Sequence, residues 1–291
     1  MEMPAGVFLH DPPHDETGVL ELGVEVSGGK SVATRQYHTR AMKIIRPHYL
    51  DDSGQVYYIM ANPGGGYVGG DAYRIEASVG EGASLLLTDQ AATKVYRTPG
   101  DFVVQNIEFN VAAGGVLEYI PDQLILYRGA DFRQHVTAKV SSEGSLFFSD
   151  IITPGWSPDG SQFLYEQARL RNEVLIDDEL ALVDAVRINP LRDDFGEDHD
   201  FFMGGRTHMA TAICFDPGVT DELIGRVRAV VADHCNHEQA MTGAVTPCDR
   251  PGFLVRALGN RTEELLALII AVADEVRGSL RGQGNINLRQ Y

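Results

Sequence analysis

Val79-Gly-Glu-Gly-Ala-Ser-Leu85 returns as Val111-Ala-Ala-Gly-Gly-Val-Leu117 and again as Val140-Ser-Ser-Glu-Gly-Ser-Leu146, at separations of 32 and 29 residues. Each copy leaves a β-branched residue, passes through a short run of small and turn-forming residues, and resumes on a leucine. Glycine in such a run supplies backbone conformations closed to other residues, so each copy reads as strand, tight turn, strand. A unit of that kind recurring every ~30 residues predicts layers laid on one another, each covering an apolar face of the next. Three hairpins sharing turn chemistry by coincidence would give the same letters, and the letters leave that alternative open.

The strands around the first copy differ in kind. Tyr73, Ile75, Ala77 and Val79 alternate with Arg74, Glu76 and Ser78, the period of a strand with one apolar face. Leu85-Leu86-Leu87 is continuously apolar and reads as a more buried strand. Just upstream lies Asn62-Pro-Gly-Gly-Gly-Tyr-Val-Gly-Gly-Asp71, whose five glycines exclude helix and make it a shaped loop. Gly64-x-Gly66-x-x-Gly69 satisfies the letters of a dinucleotide fingerprint, but that site needs a strand before it and a helix after it, and here a strand follows. A phosphate-binding P-loop would continue Lys-Ser or Lys-Thr; Gly70-Asp71 places a negative charge there instead.

Further out, Val19 to Val26 and Ser31 to Tyr37 flank Gly28-Gly29 as a hairpin, and Ala41 to Pro47 and Gln55 to Met60 add strands. Phe163 to Val174, Leu180 to Ile188 and Thr207 to Phe215 continue the β pattern, with Trp156-Ser-Pro-Asp-Gly160 as a turn. Leu191 to Asp200 is an acidic loop, read first as solvated surface. After Pro217 the period changes. Thr220 or Asp221 caps a helix to about Asn236 with Leu223, Val227, Val230 and Val231 on one face, and Thr262 opens another to about Leu280. Phe253 to Leu258 is a strand between them. The expected architecture is mainly β, a β-helix-like stack of strands and hairpins with two α-helices near the carboxyl end. Residues 1–17 are expected as a flexible lead-in, 18–281 as a single domain (β-rich over 18–216, α/β over 217–281), and 282–291 as a polar tail that orders only on a partner.

A chain of 291 residues with 44% hydrophobic and 22% charged residues has the composition of an ordinary globular protein. Its net charge of −17 opposes non-specific nucleic-acid binding and suits basic partners or metal cations. Three cysteines with no Cys-x-x-Cys pair argue against a disulfide framework or a thiolate zinc site. With no signal-peptide pattern and no apolar run near the ~20 residues of a membrane span, a cytoplasmic protein is expected.

The ordered set Pro63 to Asp71, Thr88 to Arg97, Leu117-Glu-Tyr-Ile-Pro-Asp122, Phe132-Arg-Gln134, Thr153-Pro-Gly155 and Gly204-Gly-Arg-Thr-His208 resembles the UreD (also called UreH) family of urease accessory proteins, in the family's order and over most of the chain. Asp150 stands where members more often carry Glu, and the chain lacks their usual tryptophan-containing ending. The resemblance implies a β-helix-like fold and a non-enzymatic maturation factor with no cofactor of its own. Its implied partners are the urease apoprotein, a UreF-type accessory protein and a UreG-type GTPase. GTP would be bound and hydrolysed on that last partner, and nickel would pass through this chain in transit, by an internal water-filled channel.

Asp71, Glu118, Asp122 and Asp150 are the candidates for lining such a channel. They lie in or beside the matching motifs, and an acid on an otherwise apolar strand often marks a polar interior. Asp71 and Asp122 are equally well placed to cap turns. Lys94 and Arg97 could pair with these acids or hold a partner's backbone. A second cluster, His234-Cys235-x-His237, has helical spacing that brings both rings to one ion, and sulfur suits nickel or zinc. The same letters describe a helix end whose histidines complement the macrodipole and whose cysteine packs. No nucleophile motif stands out. Two rival readings remain: a stacked-β carbohydrate-active enzyme working in a groove with a row of aromatics, and a scaffold that reshapes urease without contacting metal.

Overall fold

The computed structural model describes residues 15–192, 203–235 and 241–288. The chain opens with the expected hairpin, β1 (Gly18–Ser27) and β2 (Lys30–Arg40), followed by β3 (Lys43–Ile44) and β4 (Val56–Ala61). The three repeated units then supply β5 (Ala72–Val79) with β6 (Ser84–Gln90), β8 (Val103–Val111) with β9 (Val116–Tyr119), and β11 (Asp131–Val140) with β12 (Ser145–Ile152). Between them run the short β7 (Thr93–Val95) and β10 (Leu124–Leu126). The hairpin β13 (Gln167–Ile176) and β14 (Glu179–Ile188) follows, then β15 (His208–Phe215), helix α1 (Asp221–His234), β16 (Thr242–Pro247), β17 (Gly252–Gly259) and helix α2 (Thr262–Arg281).

Each repeated unit is an arch. Its first strand lies in one sheet, ordered β14-β13-β11-β8-β5-β1-β2, and its second in the other, ordered β16-β17-β15-β12-β9-β6-β4-β3. Successive copies pair in parallel, β5 with β8 and β8 with β11 in the first sheet, β6 with β9 and β9 with β12 in the second. The turns are stacked as well: Gly82 N donates to Ala113 O (3.1 Å) and Gly114 N to Glu143 O (2.9 Å). Gly82 and Gly114 both take φ near +64°, which their neighbours in the repeat would not tolerate. Copies of one arch therefore satisfy one another's backbone groups from layer to layer, and hairpins are left to the flanks.

The two strand patterns read from the sequence follow from what covers each sheet. Among the described residues β5 is covered on one face, so it alternates; the second sheet is sandwiched between the first and the helices, so Leu85, Leu86 and Leu87 are all fully buried. Leu85 and Leu87 join the inter-sheet core with Phe109, Leu117 and Phe148, while Leu86 joins Phe147, Phe253 and the helix residues Val227, Leu268 and Val272. Thr220 caps α1 through its hydroxyl, which accepts from Leu223 N. The stretch from Ala41 to Pro47 forms only the two-residue β3; Pro47 has no N–H to donate, and pairing with β4 resumes just beyond it as a single bridge, with His48 N donating to Tyr57 O (2.9 Å).

The tail departs from expectation over the residues described. Ile286 is buried, its amide donates to Asp274 Oδ1 (2.7 Å), and Arg277 Nε donates to Gly284 O (3.1 Å). Residues 282–288 are thus ordered against α2 by the chain itself rather than by a partner. The lead-in 1–14 and most of the acidic loop, from 193 on, lie outside the described residues.

Candidate functional site

The inter-sheet core is apolar on the arch side and polar towards the opposite end. Along β6 the inward positions read Leu85, Leu87, Asp89; along β9 Leu117, Tyr119; along β12 Leu146, Phe148, Asp150. The facing sheet answers with Gln105, Gln134 and Asn172 at inward positions of β8, β11 and β13. Alternation therefore carries each strand from core into a polar seam without leaving the buried face.

The groups of the seam are bonded in three local sets. Gln134 Nε2 donates to Asp150 Oδ1 (3.0 Å) across the sheets, and the Asn172 amide bonds the same carboxylate. Arg256, inward on β17, forms an ion pair with Asp184 on β14 at the far end. At the near end the Tyr119 hydroxyl bonds Asp89. Asp89, Tyr119, Asp122, Gln134 and Asp150 surround a cavity of about 20 Å³, water-sized by volume. A second cavity, of about 110 Å³, shares Asp89 and Thr93 with the first and is lined towards the surface by Asn62, Gly65, Gly66 and Lys94. The seam thus runs from beside the glycine loop, past three carboxylates, to the β14 and β17 end.

Burial, and next the neighbouring Asp122 and Asp150 carboxylates, push the Asp89 carboxyl up to about 7. Burial raises Asp150 to about 6, with Asp184 adding to the rise and the Gln134 and Asn172 amides opposing it. Asp122 is raised by burial against amide hydrogen bonds from Gln123 and Ala92. Four buried oxygens along the seam, Asp89 Oδ1, Gln105 Oε1, Asn172 Oδ1 and Asp184 Oδ2, have no hydrogen-bond partner among the described residues. Acceptors of this kind are met by water or by cations when proteins bury them. Among the described residues, no group of three or more His, Cys, Asp or Glu is arranged to hold a metal ion, so the acids lie along a path rather than around a point.

Of the four acids singled out from the sequence, the fold brings together Asp122 and Asp150. Asp71 closes the glycine loop instead: its carboxylate accepts from Val68 N (2.8 Å), the Tyr73 hydroxyl (3.0 Å) and the Thr17 hydroxyl (3.0 Å). Glu118 occupies the opposite face of its sheet from Leu117 and Tyr119, where it pairs with Arg277 and Arg281 of α2 and accepts from Gln55 Nε2 (2.9 Å). One step of strand alternation separates it from the seam. Lys94 lines the outer cavity, whereas Arg97 is exposed beside Gly129.

His234 Nδ1 meets the Val230 carbonyl (2.9 Å), and Cys235 ends α1 against Gly243 with its thiol raised by burial. His237 lies outside the described residues. Asp89 was missed by sequence reasoning although a signal for it exists: it continues the buried face of Leu85 and Leu87 with an acid. A row of three rings, half-buried Tyr96 and Tyr127 and exposed Trp156, with centroids 4.8 Å apart in each step in edge-on and tilted contacts, was also unforeseen. Among the described residues no helix is long and apolar enough to cross a membrane.

Comparison with known proteins places this arrangement in a family. The family model described as UreD urease accessory protein matches residues 16–290. A urease accessory protein UreD of Paenarthrobacter aurescens is 44% identical over 279 residues, covering 94% of this chain and 95% of that protein. Those of Corynebacterium glutamicum and Staphylococcus aureus are 39% and 34% identical, each over 94% of this chain and 98% of the relative. The match spans the glycine loop, the arches, the seam and both helices, and the chain belongs to the UreD family of urease accessory proteins.

Proposed function

We propose that this chain acts in urease maturation as a non-enzymatic factor, binding the urease apoprotein together with UreF- and UreG-type accessory proteins, and that nickel crosses it along the seam between the sheets. GTP is hydrolysed on the UreG-type partner; nickel is cargo here, not a resident cofactor. Family membership supports the maturation role, and one observation supports the path: three carboxylates and four unpartnered buried oxygens follow one another from a surface cavity into the interior.

The chemistry of the path suits transit. Oxygen ligands hold a borderline divalent cation less tightly than thiolate or imidazole sets do, and a row of single carboxylates lets an ion leave as readily as it enters. Asp89 and Asp150 titrate near neutrality, so an arriving cation displaces protons and lowers both values. The inner cavity is too small for a fully hydrated ion, so carboxylate oxygens replace inner waters on the way through.

The test is the nickel content of urease produced with all its accessory proteins and the Asp89→Asn/Asp150→Asn chain. The path predicts a complex that assembles normally and urease that is folded but nickel-poor. Wild-type nickel loading at limiting nickel would leave only the reading in which the chain reshapes urease without touching metal.

A further inference from the structure

The seam ends differently from the way it begins. At its far end β14, an outermost strand of the first sheet, meets β17 of the second, and there the Arg256 guanidinium is paired with the Asp184 carboxylate. Strand register fixes how this pair stands to the rest of the path. Asp150 on β12 pairs with Thr211 on β15, and Thr211 with Arg256 on β17, so acid, hydroxyl and guanidinium follow one another across three strands. In the facing sheet Asn172 of β13 pairs in register with Asp184 of β14. One positive charge therefore serves two carboxylates, and Asp150 feels it: Arg256 opposes the rise that burial and Asp184 impose there.

Arg256 is a fixed charge in this position. Its Nη2 pairs with Asp184 and its Nη1 donates to Met209 Sδ (3.4 Å), with the side chains of Arg256 and Asp184 29% and 11% exposed. A guanidinium keeps its proton at any physiological pH, so it is not neutralised as the carboxyls of the seam can be. The water-sized cavity stops short of the pair, since it is lined by Asp150 and Gln134 but by neither Asp184 nor Arg256. Beside the pair stand acceptors with nothing to accept from. Asp184 Oδ2 and Asn172 Oδ1, the latter on a residue 2% exposed, have no hydrogen-bond partner among the described residues. Carboxylate and amide oxygens of this kind suit a cation, and the cation in place is one tethered to the chain.

We infer that Arg256 is a stopper, a tethered cation that fills the last cation position of the seam and keeps a free divalent ion from passing Asp150 to the β14 and β17 end. The role rests on the seam being a cation path, and it adds the end at which that path is closed. Like charges repel more strongly where water is excluded, so a metal ion at Asp150 meets the guanidinium's field before it reaches Asp184. Passage beyond requires Asp184 to exchange Arg256 for the metal. A pair that merely joined the two sheets would have no need of unmet oxygens around it.

Nickel binding by the purified full chain, titrated with nickel chloride alone at neutral pH, tests this. Arg256→Gln should bind a nickel ion about tenfold or more tightly than the wild type. Arg256→Lys, which keeps the charge, should bind as the wild type does, and Arg256→Gln/Asp150→Asn should lose the gain. A lower Tm for Arg256→Gln with unchanged nickel affinity would show a structural pair only and overturn the stopper. If that variant folds poorly, Asp184→Asn and Arg256→Gln/Asp184→Asn carry the test, because they differ in the guanidinium alone; the second should bind nickel more tightly, and equal binding overturns the inference. Failure of transit reads out separately. Normal urease loading with the Asp89→Asn/Asp150→Asn chain would sink transit while the gain in Arg256→Gln still showed a cation excluded from the seam. Nickel-poor urease with that chain, beside an unchanged affinity of Arg256→Gln, would sink the stopper alone.

Discussion

Glu118 and Arg277 form an ion pair almost sealed from solvent, with side chains 2% and 1% exposed, which ties the second repeated arch to the carboxyl-terminal helix. Arg281 reaches the same carboxylate at 2.9 Å and also Asp216 at 3.1 Å; Arg277 in addition faces Asp51 at 3.6 Å. The group is a clasp: it spans strand, loop and helix, and through Arg277 it also holds the turn after α2.

Breaking one side of a buried pair leaves the other charge without compensation, a loss of about 3–5 kcal/mol. Glu118→Gln should therefore lower stability by roughly that amount in urea unfolding, softened by the contacts Arg277 and Arg281 keep with Asp51 and Asp216. Nickel loading of urease should fall only as far as the folded fraction falls. A folded Glu118→Gln chain that specifically fails to deliver nickel would return Glu118 to the path.

The seam acids give a pH signature of a particular sign. Asp89 and Asp150 bind protons more tightly folded than unfolded, so their contribution is fully present below about pH 4 and is lost as pH rises through about 6 and 7. Wild-type stability should decline between about pH 4 and 7 and level off above, and Asp89→Asn/Asp150→Asn should flatten that decline while raising Tm at pH 8 by a few degrees, of order 2–4 °C per kcal/mol recovered. Thermal melts across that range decide it; an unchanged slope would mean the carboxyls are not buried in solution.

Asp71 answers to a different readout. Its carboxylate satisfies one backbone amide and two hydroxyls at the foot of the glycine loop, and Asp71→Ala should cost about 1–3 kcal/mol through those unmet donors. Because it braces the loop and does not line either cavity, nickel delivery measured well below the melting temperature should survive.

Gly66 sits where the loop forms the rim of the outer cavity, with φ of +157°. A Cβ there would lie 2.8 Å from the Lys94 carbonyl oxygen and 2.7 Å from the Tyr96 ring, so Gly66→Ala must part the loop from β7. A loss above about 1 kcal/mol is expected, with faster amide exchange at Tyr67, whose N–H donates to the same Lys94 carbonyl. Unchanged exchange would show that the loop absorbs the methyl by shifting as a body.

Local chemistry determined a great deal of this protein. The small-residue turns after Val79, Val111 and Val140 dictated three reversals, and the periods of two and of 3.6 separated strands from the two long helices. The ordered motifs carried the family. What they did not determine was which partner each strand would take, because arch and hairpin share the same turn letters and differ only in which sheet receives the second strand. The site was decided at that level. Whether an acid on a strand lines the seam, as Asp89 and Asp150 do, or clasps a helix, as Glu118 does, depends on which face the layer-to-layer register turns inward. Asp71 and Asp122 are both turn acids by sequence, and only the position of the surrounding strands put one under a loop and the other beside a cavity.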